Sequence, residues 1–220
     1  MNEYGTAWNA SRDRVSDLIL RTELSKLDAI APLTPEWRVR DIVAHLVGVA
    51  QDVSSGNFPQ DFDAWTRAQV ERLRTFDAHE LIDQWQEFPI GEMLSESLAI
   101  ALYDQVTHEA DICHALGVPI ALEPRTLSLL SKFTLSRFAA QENDLCVTLH
   151  LDDQDFVSGD GARALTLSAT AFDWFRASNG RRSVTQIKAM EWWGDVDVIA
   201  ILFASGFFTP AHDDVFEIFR

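Results

Sequence analysis

Through the first half of the chain apolar residues recur at helical spacing, and only in the second half do they alternate with polar ones. Within residues 5–28, Leu18, Leu20, Leu24 and Leu27 sit among charged residues at a helical period, which predicts a first helix. Ala31-Pro32-Leu33-Thr34-Pro35 breaks it. Thr34 suits an N-cap and Pro35 a first helical position, so a second helix is predicted from about Glu36 to Val53. Ser54-Ser55-Gly56-Asn57-Phe58-Pro59 reads as a loop. A third helical stretch covers about 61–87, with a break near Phe76-Asp77, and ends at Phe88-Pro89-Ile90-Gly91. A fourth runs from about Met93 to Leu116, where Gly117 and then Val118-Pro119 stop it. Four helices with short connections predict an antiparallel bundle.

The pattern changes after Pro124. Residues 125–140 read as one more helix, and Leu145-Cys146-Val147-Thr148-Leu149-His150-Leu151 alternates as a strand does. Phe156-Val157 and Ala164-Leu165-Thr166-Leu167-Ser168 are similar, with a hairpin turn predicted at Ser158-Gly159-Asp160-Gly161. That Gly-Asp-Gly is read as a turn rather than a phosphate loop, because no helix follows it directly. Residues 169–178 and 195–206 return to a helical period. Helices followed by mixed strands and helices predict an α+β, mainly α protein of two domains, with the boundary region at 120–143. The expected division is a four-helix bundle over 1–122 and a small α+β domain over 123–220.

Composition narrows the function. A length of 220 residues, 47% of them apolar and 24% charged, is ordinary for a globular protein with a real core. The net charge of -16 counts against nucleic acid, whose phosphates need clustered Lys and Arg, and against anionic membrane surfaces. No apolar run is long enough to span a bilayer, and Met1-Asn2-Glu3-Tyr4 lacks the basic and apolar regions of a secretory signal. Cys113 and Cys146 are too few for a disulfide scaffold. The expectation is a cytoplasmic protein with a small-molecule substrate, as a monomer or homodimer, and with no nucleic-acid or membrane partner.

Two segments carry candidate chemistry. His45 lies in Trp37-Arg38-Val39-Arg40-Asp41-Ile42-Val43-Ala44-His45-Leu46. Asp104 and His108 lie in Asp104-Gln105-Val106-Thr107-His108-Glu109-Ala110-Asp111-Ile112, four apart and therefore on one face of a helix. Two imidazoles and a carboxylate complete three corners of a tetrahedral metal site and leave the fourth for water or substrate. The same residues also suit the solvated faces of two amphipathic helices, and helical geometry alone leaves both readings open. Trp37 reads as a core or staple residue near a helix start. Cys113 reads as a buried inert thiol, since adjacent helical residues such as His114 diverge by about 100°. His79 and His212 read as exposed, and His150 as a strand residue.

The two segments resemble the mycothiol-dependent maleylpyruvate isomerase family. The first matches that family's Trp, short basic or apolar pair, and Asp-aliphatic-aliphatic-Ala-His-Leu run. The second matches its carboxylate four residues before a His, with an Asp three later ahead of the Ala115-Leu116-Gly117 helix end. The resemblance implies a DinB-like four-helix bundle followed by a sterol-carrier-like α+β domain. It implies His45, Asp104 and His108 as metal ligands. The characterised isomerase type carries Glu where this chain has Asp104, one methylene shorter, so the helices must come closer or the ion must shift.

The implied metal is divalent, zinc by its mixed nitrogen and oxygen ligands, and the implied co-substrate is a low-molecular-weight thiol, mycothiol. The thiol would act as thiolate, adding to a cis double bond that rotates and eliminates in an isomerase, or remaining on the product in an S-transferase. Asp111, one turn beyond His108, is a candidate to orient that ring, and Asp41 to orient His45. Arg38 is a candidate cation for an acidic substrate, as are Arg181 and Arg182. Two other functions compete with the thiol enzyme. One is a non-catalytic DinB-like module that binds a small molecule or protein with a degenerate metal site, for which 14 Phe and 7 Trp would suit a pocket. The other is metal-dependent hydrolysis with Asp111 or Glu109 as base.

Overall fold

Asn2 starts the first helix by accepting the Gly5 N–H on its side chain at 3.0 Å, and Glu3 places a negative charge in the first turn, where the helix dipole favours it. In the computed structural model of the chain, which describes residues 2–58, 60–142 and 144–220, this helix opens a first unit that runs to Ala121 and also contains Ile218–Arg220. Leu122 to Glu217 form a second unit. Pro59, the end of the expected loop, lies outside the described residues, as do Met1 and Asn143.

The first unit contains α1 (Glu3–Arg21), α2 (Leu24–Leu27), β1 (Ile30–Ala31), β2 (Thr34–Arg38), α3 (Val39–Ser55), α4 (Phe62–Leu73), α5 (Ala78–Trp85) and α6 (Ala99–Leu116). α1, α3, the α4/α5 pair and α6 form the four-helix bundle. The third member is broken where the sequence predicts, because Asp77 caps α5. Its side chain accepts the His79 and Glu80 N–H groups at 2.9 Å, while Glu80 accepts the Asp77 N–H at 2.8 Å. Trp8 and Trp85 meet edge to face at 6.1 Å in the core, with Ile19, Ile42, Leu46, Leu81 and Ile82 fully buried around them. Gly117 ends α6 in the left-handed region at φ 65°, as its position predicts.

The start of the second predicted helix differs. Thr34–Arg38 pairs antiparallel with Ile30–Ala31, and α3 begins only at Val39. The N-terminal cap is supplied further along, where Asp41 accepts the Arg38 N–H at 2.9 Å. Thr34-Pro35 is therefore a strand entry, which Pro tolerates at an edge. The last predicted bundle helix is also shorter, with 3-10 turns at Ile90–Glu92 and Glu96–Leu98 ahead of α6. The first unit is closed by the chain end, where the Ile120 N–H donates to the Ile218 carbonyl at 2.7 Å and Arg220 N–H to the Ile120 carbonyl at 3.1 Å.

The second unit contains α7 (Pro124–Ala139), β3 (Leu145–Leu151), β4 (Gln154–Ser158), β5 (Arg163–Ala169), α8 (Ala171–Ser178), α9 (Val184–Lys188), β6 (Glu191–Trp193) and α10 (Val198–Leu202). The sheet order is β4-β3-β5-β6, with β3 and β5 parallel from Leu145↔Arg163 to Leu151↔Ala169. Residues 158–161 are thus not the predicted hairpin turn. They carry the chain across the start of β3, and the hairpin is instead the β3–β4 connection at Asp152-Asp153. Gly159, at φ 81°, makes the crossing possible, since a Cβ there would lie 2.1 Å from the Leu145 carbonyl oxygen. Leu145, Val147, Leu149 and Leu151 face the core, where the Trp174 indole donates to Thr134 at 2.7 Å and meets Phe138 edge to face.

Candidate metal centre

α3 brings His45, and α6 brings Asp104 and His108. His45 Nε2 lies 3.1 Å from Asp104 Oδ2, and His108 Nε2 lies 3.6 Å from Asp104 Oδ1. One donor atom from each of the three residues lies within 4.8 Å of the others. The solvated-face reading of these helices fails, because His45 is 3% exposed and His108 7%, while the Asp104 side chain keeps 30% of its surface open. The cluster is therefore walled by its imidazoles and opens on its carboxylate.

The donor set fits a divalent ion. Zn–N and Zn–O bonds of about 2.0–2.1 Å at tetrahedral angles put neighbouring ligand atoms about 3.3 Å apart. Asp104 Oδ1 lies 3.3 Å from His45 Nε2 and 3.6 Å from His108 Nε2, close to that value on a single oxygen. The shorter Asp104 side chain thus reaches both rings. Two nitrogens and one oxygen with a free fourth direction is the composition of a catalytic rather than a structural zinc site.

Trp37 covers the site. Its indole lies 5.2 Å from the His45 ring and 5.6 Å from the His108 ring, centroid to centroid. It reaches them from β2, not from the first turn of a helix, and it is half-buried. Asp41, a candidate to orient His45, is occupied with the helix cap. His45 is held by a residue that helical spacing does not suggest. Its Nδ1 lies 2.8 Å from Gln69 Oε1 on α4. Gln69 Nε2 donates in turn to Asp52 Oδ2 at 2.8 Å, and the other oxygen of Asp52 accepts from Asn57 at 3.1 Å and faces Arg72 at 3.3 Å. Burial pushes the His45 pKa down, but the Asp104 carboxylate, Gln69 and Asp52 outweigh it and leave the pKa above the ordinary value. The trace of this arrangement in the sequence is Gly48, a glycine inside a helix, where a Cβ would meet Gln69 Cβ at 2.6 Å.

The remaining candidates fall as follows. Asp111 is fully buried, with Oδ2 3.2 Å from His108 Nδ1, close to the ring but without the alignment of a hydrogen bond to it. It approaches His108 from inside the protein rather than from solvent. Arg38 points away from the bundle core, exposed and 3.7 Å from Asp28. Glu109 turns to α1, where it accepts from Ser11 at 2.6 Å and from Arg14 at 2.6 and 2.9 Å. Burial raises its pKa, against the pull of Arg14 and Ser11. In the second unit Arg182 pairs with Asp173 and Glu217, and Arg181 donates to the Asn179 carbonyl, both buried. Cys113 is buried and not in a disulfide. No helix among the described residues is long and apolar enough to cross a membrane.

Fold and site together define a helical bundle with a two-histidine, one-carboxylate cluster, carried in one chain with a small α+β unit. Residues 7–89 match the family model of the mycothiol maleylpyruvate isomerase N-terminal domain, a stretch that holds His45, Asp52 and Gln69 and ends before Asp104 and His108. Crystal structures of a mycothiol-dependent maleylpyruvate isomerase and of a histidine-to-alanine mutant share the fold. Each has a TM-score of 0.54, at 14% and 12% identity, covering 89% of this chain and 94% of the other. Comparison with curated protein sequences gives no match. The resemblance to the mycothiol-dependent maleylpyruvate isomerase family, read from the two motifs, therefore holds.

Proposed function

We propose that this protein is a cytoplasmic, metal-dependent thiol enzyme of the maleylpyruvate isomerase type. It would use a low-molecular-weight thiol of the mycothiol kind for cis–trans isomerisation of a small electrophile or for S-transfer to one. The observation that carries this reading is the His45–Asp104–His108 cluster, three converging donors at metal-ligand separations with one open side. A divalent ion, zinc by the donor set, would supply the positive charge that keeps a thiol ionised at neutral pH, where a free thiol of pKa ~8.5 is mostly protonated.

The chain's own residues do the rest. Gln69 fixes the His45 ring, and Trp37 covers the two imidazoles and keeps bulk water from that side. Asp104 marks the face through which thiol and electrophile enter, because it alone of the three is open to solvent. Isomerisation and S-transfer share formation of a carbon–sulfur bond and differ in whether that bond is broken again. The test is to give the zinc-loaded protein mycothiol with maleylpyruvate, following the ultraviolet change of isomerisation. In parallel, mycothiol is supplied with a small alkyl halide, following the thioether by mass spectrometry. Turnover that needs the thiol and disappears in His45→Ala supports the reading. Absence of thiol-dependent turnover of either electrophile by the loaded protein refutes it.

A further inference from the structure

We infer that Gln69 and Asp52 form a positioning relay that dictates which nitrogen of His45 is free to bind the metal. The inference rests on the metal reading above and concerns groups that do not themselves touch the ion.

The argument starts from the one member with no choice. A carboxylate only accepts hydrogen bonds. Asp52, almost fully buried, accepts from Asn57 and faces the Arg72 guanidinium on one oxygen, and accepts from Gln69 on the other at 2.8 Å. Gln69 must therefore turn its NH2 toward Asp52, which settles the orientation of an amide whose two ends are otherwise interchangeable. Its oxygen is then the atom 2.8 Å from His45 Nδ1, and an oxygen acceptor requires that Nδ1 carry the proton. Asp104, 3.1 Å from Nε2, is a second acceptor that competes for the ring proton while no ion is bound; with Nδ1 protonated by the relay, a neutral ring offers its Nε2 lone pair to an ion. A charge two residues removed from the ion thus selects the metal-binding tautomer. Gln69 is fully buried and packs across Gly48, the residue whose missing side chain gives it room.

Substituting Asp52→Asn reverses the relay without changing its shape. Arg72 and Asn57 continue to claim an oxygen at position 52, so the new NH2 is turned to Gln69. Gln69 must then rotate its amide, offering oxygen to position 52 and NH2 to His45. Nδ1 has to accept, and the proton moves to Nε2, the atom the metal needs.

The experiment compares wild type, Asp52→Asn and Gln69→Met. Zinc affinity is measured by competition with a chelating dye, and ring nitrogens are read by 15N NMR on the metal-free proteins carrying Asp104→Ala, which removes the competing acceptor at Nε2, at alkaline pH, where the imidazole is neutral. With Asp52 and Gln69 unchanged the expected pattern is Nδ1–H. Asp52→Asn is expected to show Nε2–H and to bind zinc about 10–100-fold more weakly, as losses of outer hydrogen-bond partners do at metal sites. Gln69→Met, which removes the amide, is expected to lose zinc affinity to a similar degree without the clean inversion. An Asp52→Asn protein with the Nδ1–H ring pattern and wild-type zinc affinity overturns the inference, as does a Gln69→Met protein with undiminished affinity should Asp52→Asn not fold. A wild-type protein that takes up no zinc refutes the metal reading instead, and the ring pattern, read without metal, still decides the relay.

Discussion

Gly48→Ala sets helix propensity against packing. Gly48 lies in the middle of α3, where Ala is favoured over Gly by about 1 kcal/mol. Propensity alone therefore expects a more stable protein. The structure opposes this, because a Cβ at 48 would lie 2.6 Å from Gln69 Cβ and 2.7 Å from its Cγ, well inside van der Waals contact. Gln69 is fully buried and held at both ends of its amide, so it has nowhere to retreat. Overpacking of this kind costs about 1–3 kcal/mol. After subtraction of the propensity gain, the net expectation is a loss of up to about 2 kcal/mol, accompanied by weaker zinc binding as Gln69 leaves His45. Gly56→Ala is the control. Gly56 is left-handed at φ 73° with nothing within 4 Å of a new Cβ, so its backbone cost of about 1–2 kcal/mol comes with unchanged zinc affinity. Urea unfolding of the metal-free proteins gives stability, and dye competition gives affinity. A Gly48→Ala protein more stable than wild type by about 1 kcal/mol, with zinc affinity intact, refutes the packing argument.

In the second unit, Arg176 and Glu217 are paired at 2.8 Å with both side chains fully buried, and Arg182 joins the same carboxylate at 2.7 Å. Glu217→Ala removes the buried carboxylate that Arg176 and Arg182 share, Arg182 keeping its contact with Asp173, and is expected to cost about 3–5 kcal/mol in urea unfolding. Glu71→Ala, which breaks the exposed Arg74–Glu71 pair, is expected to be close to silent in the same assay. The pH dependence follows from His45. Its folded pKa is raised above the unfolded value of about 6.5, so its stabilising contribution to the metal-free protein is complete below that value and is lost as pH rises through the folded pKa. Stability of the metal-free wild type measured across this window is expected to fall by an increment that His45→Gln lacks. Zinc binding is expected to run the other way and strengthen, since the ligand must be deprotonated.

The bundle was legible because helical period is local. Four-residue spacing put Asp104 and His108 on one face, but geometry alone left that face open to a solvated reading, and it was the family resemblance of the two segments that joined His45 to them. What stayed hidden depends on packing between elements. The faces that carry His45, Asp52, His108 and Asp111 are polar, and hydropathy cannot separate polar groups that meet water from polar groups that meet each other. Gln69 carries no local mark, because its role is set by the approach of α4 to α3 across Gly48. Thr34-Pro35 gives the same local signal for a helix start and for an edge strand, and only the pairing with Ile30–Ala31 decides. The glycines after β4 likewise signal a tight change of direction, whereas the insertion of β3 between β4 and β5 is what turns a hairpin into a crossing.

The central claim is that His45, Asp104 and His108 hold a divalent ion. It is tested most directly by metal analysis of the untagged protein, purified without chelator and then offered zinc, alongside His45→Ala, Asp104→Ala and His108→Ala. The account predicts close to one zinc or other divalent ion per wild-type chain, lost in each of the three variants while they remain folded. A wild-type protein that holds no metal even after added zinc, or folded variants that keep it, would contradict the claim.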